Sequence, residues 1–268
     1  MIKHTSASST HYDKEAQHYD PFNEARSVQI NQLIERTLRK HNVTTVLDLS
    51  CGTGSQVFWL AERGIDVVGV DINEKMLAIA CEKAKQKNIP LRFELGDMRT
   101  SQVGQFDAVL TIFNSIGHLT KSDFELALQN IYENLNPGGL YIFDIFNLDY
   151  LLHGDNITKL TVDWQKKTGD ITAREIQYST ISKDGVLASY DIYHEQKGVG
   201  EPRSSTAFQT LQVYSAQQLR VLLEQLGFEV LQQTDSDGSS FVPLVSERIL
   251  TVAKKPQISA VKRVLPCH

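Results

Sequence analysis

The apolar residues of this chain change period several times, and each change predicts an element. Between residues 25 and 41, Ile30, Leu33, Ile34 and Leu38 recur at helical spacing and share one face. "VTTVLDLS" then reads as a strand, "CGTG" as a tight turn, and "SQVFWLAERG" as a helix with Gly64 closing its C-terminal end. The rhythm repeats through strand "IDVVGVDI", a helix over 73–88, strand "PLRFELGD" and strand "FDAVLTIFNS". Ser122 and Glu125 have capping-box spacing before the helix "FELALQNIYENL", and "NPGG" separates that helix from strand "LYIFDIFN". Near-continuous apolar strands alternating with amphipathic helices predict a doubly wound, Rossmann-like α/β fold. Its seven-stranded, mostly parallel sheet is covered on both faces.

From about residue 148 to 214 the period becomes two. "DITAREIQYSTIS" and "VLASYDIYHEQ" read as an antiparallel hairpin with Asp184-Gly185 in its turn, and "STAFQTLQVY" as a further strand. Helix "SAQQLRVLLEQLG" and strands "FEVLQQT" and "RILTVAKK" then return to the main sheet. The chain therefore divides into an N-terminal segment (1–42), a core (43–147), an inserted antiparallel sheet (148–214), a return to the core (215–255) and a tail (256–268).

Composition narrows the functional classes. Of 268 residues, 41% are hydrophobic and 22% charged, ordinary for a globular chain. No apolar run approaches the roughly 20 residues that span a bilayer, and "MIKHTSASST" lacks the apolar core of a signal peptide. A net charge of −5 argues against a nucleic-acid surface. Cys51, Cys81 and Cys267 have neither zinc spacing nor a paired framework. A cytoplasmic protein without a metal, a membrane contact or a nucleic-acid partner is expected.

Candidate chemistry sits where ligands bind in open α/β sheets, outside the carboxyl ends of the strands. That edge carries Asp48, Ser50, Cys51, Gly52 and Gly54, and Asp71 ends the second strand, where a carboxylate can accept both hydroxyls of a ribose. A dinucleotide fingerprint would place glycine at position 57, which is Val57, so a pyrophosphate site is disfavoured. Asp97 and Met98 in "GDM" suit the amino group and the face of an adenine.

"VLDLSCGTG", "VVGVDINEKML", "GDM", "FDAVLTIFNSIGHL" and "NPGGLYIFD" together resemble the class I S-adenosylmethionine-dependent methyltransferases. Within them the chain looks most similar to small-molecule N-methyltransferases of the glycine or sarcosine type and of the aminosugar type. The resemblance implies that residues 43–147 bind S-adenosylmethionine, releasing S-adenosylhomocysteine. Gly52 and Gly54 would cradle its methionine part, Asp71 hold the ribose, and Ile72 and Met98 sandwich the adenine, with Asp97 at its amino group. Asp48, Ser50, Cys51, Met76 and Phe113 complete the expected cofactor set.

The same resemblance interprets "HYDKEAQHYD", where His-Tyr-Asp occurs twice, seven residues apart. On a helix both copies would share one face. The resemblance places such a tyrosine-bearing helix over the cofactor as a lid, with Tyr12 and Tyr19 above it and Arg26 pairing the cofactor carboxylate. The alternative, a metal site from His11, Asp13, His18 and Asp20, finds no further ligand in the sequence. "FNSIGHL" supplies Asn114, which matches a substrate-contacting asparagine of the glycine-type pattern. His118, on the same loop, is the candidate proton acceptor. Asp144 is expected to face the acceptor. Asp155 in "GDNI" stands where glycine-type enzymes carry an arginine for the substrate carboxylate, which favours a larger amine.

The expected partner is a small-molecule acceptor. Tyr178, Tyr190, Tyr193 and His194 of the inserted sheet either wall the acceptor site or form a homodimer contact, and both readings stay open. Methylation at nitrogen leads. O- or C-methylation of an aromatic or quinone-like acceptor, and cofactor binding without catalysis, are the alternatives.

Overall fold

The computed structural model describes residues 2–13, 16 and 19–257, with the side chains of residues 19–26, 162 and 164 outside that description. Helix α1 (Tyr19–Lys40) leads into β1 (Thr45–Asp48), α2 (Ser55–Ala61), β2 (Asp66–Asp71), α3 (Glu74–Lys87), β3 (Arg92–Leu95) and β4 (Phe106–Thr111). Helix α4 (Lys121–Glu133) and β5 (Leu135–Phe146) follow, then the short α5 (Leu148–Leu152). The insertion comprises β6 (Val162–Thr168), β7 (Ile171–Ile181), β8 (Val186–Lys197) and β9 (Arg203–Gln212). Helix α6 (Ala216–Gln225), β10 (Glu229–Thr234) and β11 (Arg248–Lys254) complete the core.

The seven-stranded sheet runs β10-β11-β5-β4-β1-β2-β3. β1 to β5 are parallel, and β11 pairs antiparallel with both β5 and β10. Alternation along the strands feeds two cores. Leu47, Val109, Tyr141 and Phe143 pack with Phe124, Leu128 and Leu223 on one face. Val46, Leu110 and Ile142 pack with Ile30, Ile34 and Leu38 of α1 on the other. Strand β1 lies between β2 and β4. Chain order reverses there, which opens a crevice at the strand ends.

The structure differs from the sequence-based expectations in three places. The first His-Tyr-Asp, residues 11–13, lies in turns closed by His11 N–H to Ser8 O and Asp13 N–H to Thr10 O, so it shares no helical face with the second copy. Helix α4 is capped by Thr120, whose hydroxyl accepts from Asp123 N–H at 3.2 Å, rather than by Ser122 with Glu125. Strand β6, "VDWQKKT", alternates only over Val162 to Gln165 before its polar end; it is an edge strand of the insertion, and its lysines suit an exposed edge.

The inserted sheet, order β6-β7-β8-β9, is antiparallel throughout. Its central turn needs Gly185, at φ +85°, because a Cβ there would lie 2.4 Å from Val213 O. Among the described residues no helix is long and apolar enough to cross a membrane.

Helix α6 re-enters the core through a reciprocal cap. Ser215 Oγ accepts from Gln218 N–H at 3.2 Å, and Gln218 Oε1 accepts from Ser215 N–H at 2.9 Å. Ser215→Ala should therefore cost about 1 kcal/mol. Urea unfolding should show a lower midpoint at unchanged slope, and a wild-type midpoint would show the cap to be dispensable.

Candidate active site

The carboxyl ends of β1 and β2 surround a cavity of about 800 Å³, counting its open mouth. Gly52, at φ +52°, lines it, and a Cβ built there would meet no atom within 4 Å, so the backbone itself forms the wall. Asp71 holds the turn in place. Its Oδ2 accepts from Gly52 N–H at 2.7 Å and its Oδ1 from Asn73 N–H at 2.9 Å, while burial pushes its pKa up. Beneath the turn Asp48 is fully buried. Burial, with the nearby charge of Asp71, pushes its pKa up to about 7. Asp48 Oδ1 accepts from Ser50 N–H at 3.2 Å, whereas Asp48 Oδ2 and Ser50 Oγ have no partner among the described residues.

Buried polar atoms without partners are costly unless a ligand satisfies them. The cavity thus offers a bare glycine backbone, the buried carboxylate of Asp71 and an orphaned hydroxyl at one end, with Asp48 beneath them. Ile72, Met76 and Met98 line it with Asp97. This donor set fits S-adenosylmethionine: the acids and hydroxyl suit its ammonium and ribose, and the apolar walls its adenine. Burial opposes ionisation of Asp97, yet hydrogen bonds and charge from Arg99 leave its pKa below the ordinary carboxylate value. Arg99 also donates to Asp123 at 2.8 Å, tying this wall to α4.

A strap of residues 4–13 crosses the mouth. On one side Ala7 N–H donates to His118 O at 2.9 Å, and Ser6 Oγ accepts from Thr120 N–H at 2.9 Å. His4 bridges Leu119 O and Thr210 Oγ1, at 3.0 and 2.8 Å. On the other, Asn73 Nδ2 donates to Ser9 O at 2.7 Å and to Asp13 Oδ1 at 3.0 Å, and Lys75 pairs with Asp13 at 2.8 Å. Under the strap Tyr12 Oη and His118 Nε2 are 2.6 Å apart. Burial, aided by the charges of His11 and His4, pushes His118 down to about 3, so its imidazole is neutral.

Beyond the cavity lies a larger groove between the core and the inserted sheet. Phe113 and Asn114 have φ of +62° and +59°, a costly backbone for residues with a Cβ. Two contacts hold it: Asp144 Oδ1 accepts from Phe113 N–H at 2.6 Å, and Asn114 Oδ1 accepts from Phe146 N–H at 3.0 Å. Asp144 is buried and ion-paired with Arg248. Opposite, β7 and β8 present Glu175, Gln177, Asp191 and Tyr193, with Gln177 Nε2 donating to Asp191 Oδ1 at 2.7 Å.

Most of the expected residues converge here. Ser50, Gly52, Asp71, Ile72 and Met76 line the cavity, as do Asp97, Met98, Phe113 and Tyr12. Asp48, Cys51 and Gly54 do not line it. Asp48 lies beneath, Cys51 is buried close to Gly69, and Gly54 caps α2 at φ +91°. His118 is expected on the acceptor loop, but the 3-10 turn Ser115–His118 turns it into the cofactor cavity. Asn114 and Asp144 line the groove. Asp155 does not; it is exposed at the start of the 3-10 turn Asn156–Leu160 and borders neither space. The side chains of Tyr19, Asp20 and Arg26, and residue His18, fall outside the described residues. Sequence reasoning missed Asn73 and Arg99, and offered His11 only as a metal ligand. Asn73 had a signal, a helix cap two residues after Asp71. The position of His11 against His118, with ring centroids 5.0 Å apart, had none.

Residues 46–139 match a family model described as a methyltransferase domain. The chain is 36% identical over 139 residues to the glycine/sarcosine N-methyltransferase of Parasynechococcus marenigrum, covering 50% of this chain and 49% of that one. It is 28% identical over 171 residues to the dTDP-3-amino-3,6-dideoxy-alpha-D-glucopyranose N,N-dimethyltransferase of Streptomyces fradiae, covering 59% and 66%. These matches span about half to two thirds of the relatives' own lengths. Among solved structures, an S-adenosylmethionine-dependent methyltransferase from Clostridium acetobutylicum shares the fold, with TM-score 0.73, 19% identity and coverage of 91% and 99%.

Two outcomes follow from the buried acids. Hydrogen bonds to a charged group contribute about 1.5–3 kcal/mol each. Asp71→Ala should therefore weaken S-adenosylhomocysteine binding on the order of a hundredfold by calorimetry. Wild-type affinity would show that this carboxylate does not hold the ribose. For Asp48, the folded pKa of about 7 lies above the ordinary 3.8, so the folded chain keeps a proton that the unfolded chain releases between those values. Its contribution to stability thus falls as pH rises through that window. Urea unfolding across the window should show wild type losing stability relative to Asp48→Asn, and parallel pH profiles would mean that Asp48 is already ionised.

Proposed function

We propose that this chain, whose residues 46–139 match a methyltransferase domain, transfers a methyl group from S-adenosylmethionine to an amine nitrogen of a small molecule held in the groove beside the cofactor cavity. The observation that carries this reading is the chemistry of the groove. Glu175, Asp191, Asp235 and Glu247 line it, and among the described lining residues its one guanidinium, Arg248, is paired with Asp144. Carboxylates around a reacting nitrogen attract a basic amine and stabilise the ammonium that methylation creates.

S-adenosylmethionine, when bound, supplies a methyl group already activated by its sulfonium. The amine lone pair forms the new N–C bond as the C–S bond breaks with its electrons going to sulfur, and the ammonium then loses a proton to water in the groove. No strong base is required, so the protein mainly aligns the nucleophile, which can supply roughly 7–11 kcal/mol. The strap over the cavity excludes water from that alignment. Asn114 and Asp144 shape the core side, Asp144 through its hold on Phe113 and Arg248.

The groove encloses about 3040 Å³ of space open to solvent, room for an acceptor larger than glycine. Both relatives named above act on amines, one on glycine or sarcosine and the other on a sugar. Size and charge favour the second kind of acceptor. The polar groove-facing side of the inserted sheet supports a role in walling the site, in a protein that works in the cytoplasm.

Release of S-adenosylhomocysteine should be measured with aminosugars, diamines, amino acids and phenols. Basic amines should turn over, and Glu247→Lys should lower kcat/KM for them by roughly threefold to tenfold through charge reversal at the groove. Turnover of phenols or acids alone would overturn the amine reading.

A further inference from the structure

The cofactor cavity and the acceptor groove share three described lining residues: His11, Tyr12 and Phe113. All three present rings. His11 and Tyr12 meet edge to face with centroids 4.9 Å apart, and both rings pack against His118, at 5.0 and 5.4 Å. Phe113 reaches the same place from the end of β4, held there by the Asp144 contact to its backbone. Among the described residues, these rings stand where the two spaces meet.

We propose that the Tyr12 and Phe113 rings form a cation-selective aperture that receives the transferable group of the cofactor, and that His118 acts on it as a positioning residue through Tyr12. Aromatic faces attract a cation held against them and give a neutral thioether no such preference. The aperture would thus favour the charged, methyl-bearing cofactor over the neutral product, which helps the product leave. His118 does not touch the transferred group in this arrangement. Its ring is 2.6 Å from the Tyr12 hydroxyl, and in the tautomer that accepts there it fixes the phenol at the aperture. Such a role explains why a histidine so buried keeps a polar partner on the strap.

This inference rests on the cofactor reading above, and binding alone tests it. S-adenosylhomocysteine carries a neutral sulfur at the transfer position; sinefungin carries a protonated amine there. Calorimetry on the full chain should show sinefungin binding more tightly than S-adenosylhomocysteine. Tyr12→Phe and Phe113→Leu should each reduce that preference by about fivefold, the size of a partly desolvated cation–ring contact. The readout is the ratio of the two affinities within each variant, so a general loss of binding to the cavity cancels. His118→Leu should reduce the preference as Tyr12→Phe does, and His118→Gln, which keeps an acceptor, should restore it. An unchanged ratio across the variants, or no preference in wild type, overturns the aperture. Failure of both compounds to bind would instead overturn the cofactor reading beneath it.

Discussion

The Asp71 carboxylate, by accepting the N–H groups of Gly52 and Asn73, ties together three parts of the site that come from different stretches of chain. One bond sets the glycine turn after β1. The other sets the start of α3, where Asn73 caps the helix by accepting from Met76 N–H. Asn73 in turn donates to Ser9 and Asp13 and so fastens the strap. Burial opposes a charge on Asp71, and two backbone donors offset that cost without a cation. A lysine or arginine in their place would compete with a cationic cofactor. Backbone donors hold the acid and leave the local field negative.

Across the crevice the corresponding device is the end of β5. Left-handed φ at two successive residues with side chains costs on the order of 1–3 kcal/mol each. Asp144 and Asn114 fix both residues through backbone contacts to neighbouring strand ends. The result is a rigid corner that carries the Phe113 ring between cavity and groove. Asp144 is committed to Arg248 and Phe113, so it serves the acceptor site through geometry rather than by direct capture.

The inserted sheet completes the groove because strand periodicity separates its faces. Glu175 and Gln177 on β7 pair with Tyr193 and Asp191 on β8 and face inward together. Tyr178 and Tyr190 pair on the opposite face and are exposed. A register slip of one residue would exchange the two sets.

Periodicity and composition alone determined the doubly wound fold, its insertion, and the core face of α1, because these follow from local repeats of apolar residues. Ser50, Gly52, Asp71, Asp97 and Met98 were legible for a related reason: a parallel sheet brings its strand ends to one edge whatever the loops do, while Ile72 came only with the family resemblance. Local signals failed where competing choices were close in energy. Thr120 and Ser122 are both good caps, and Thr120 is the one that starts α4. The edge strand β6 is too polar to announce itself. Only the tertiary structure decided the rest. It turned His118 into the cofactor cavity, left Asp155 on the surface, committed Asp144 to Arg248, and laid His11 and Tyr12 of a turn-rich strap against a loop far away in sequence. Each depends on a contact between segments whose separation in the chain leaves no periodic trace, so the pairing energy exists only once the sheet has brought them together.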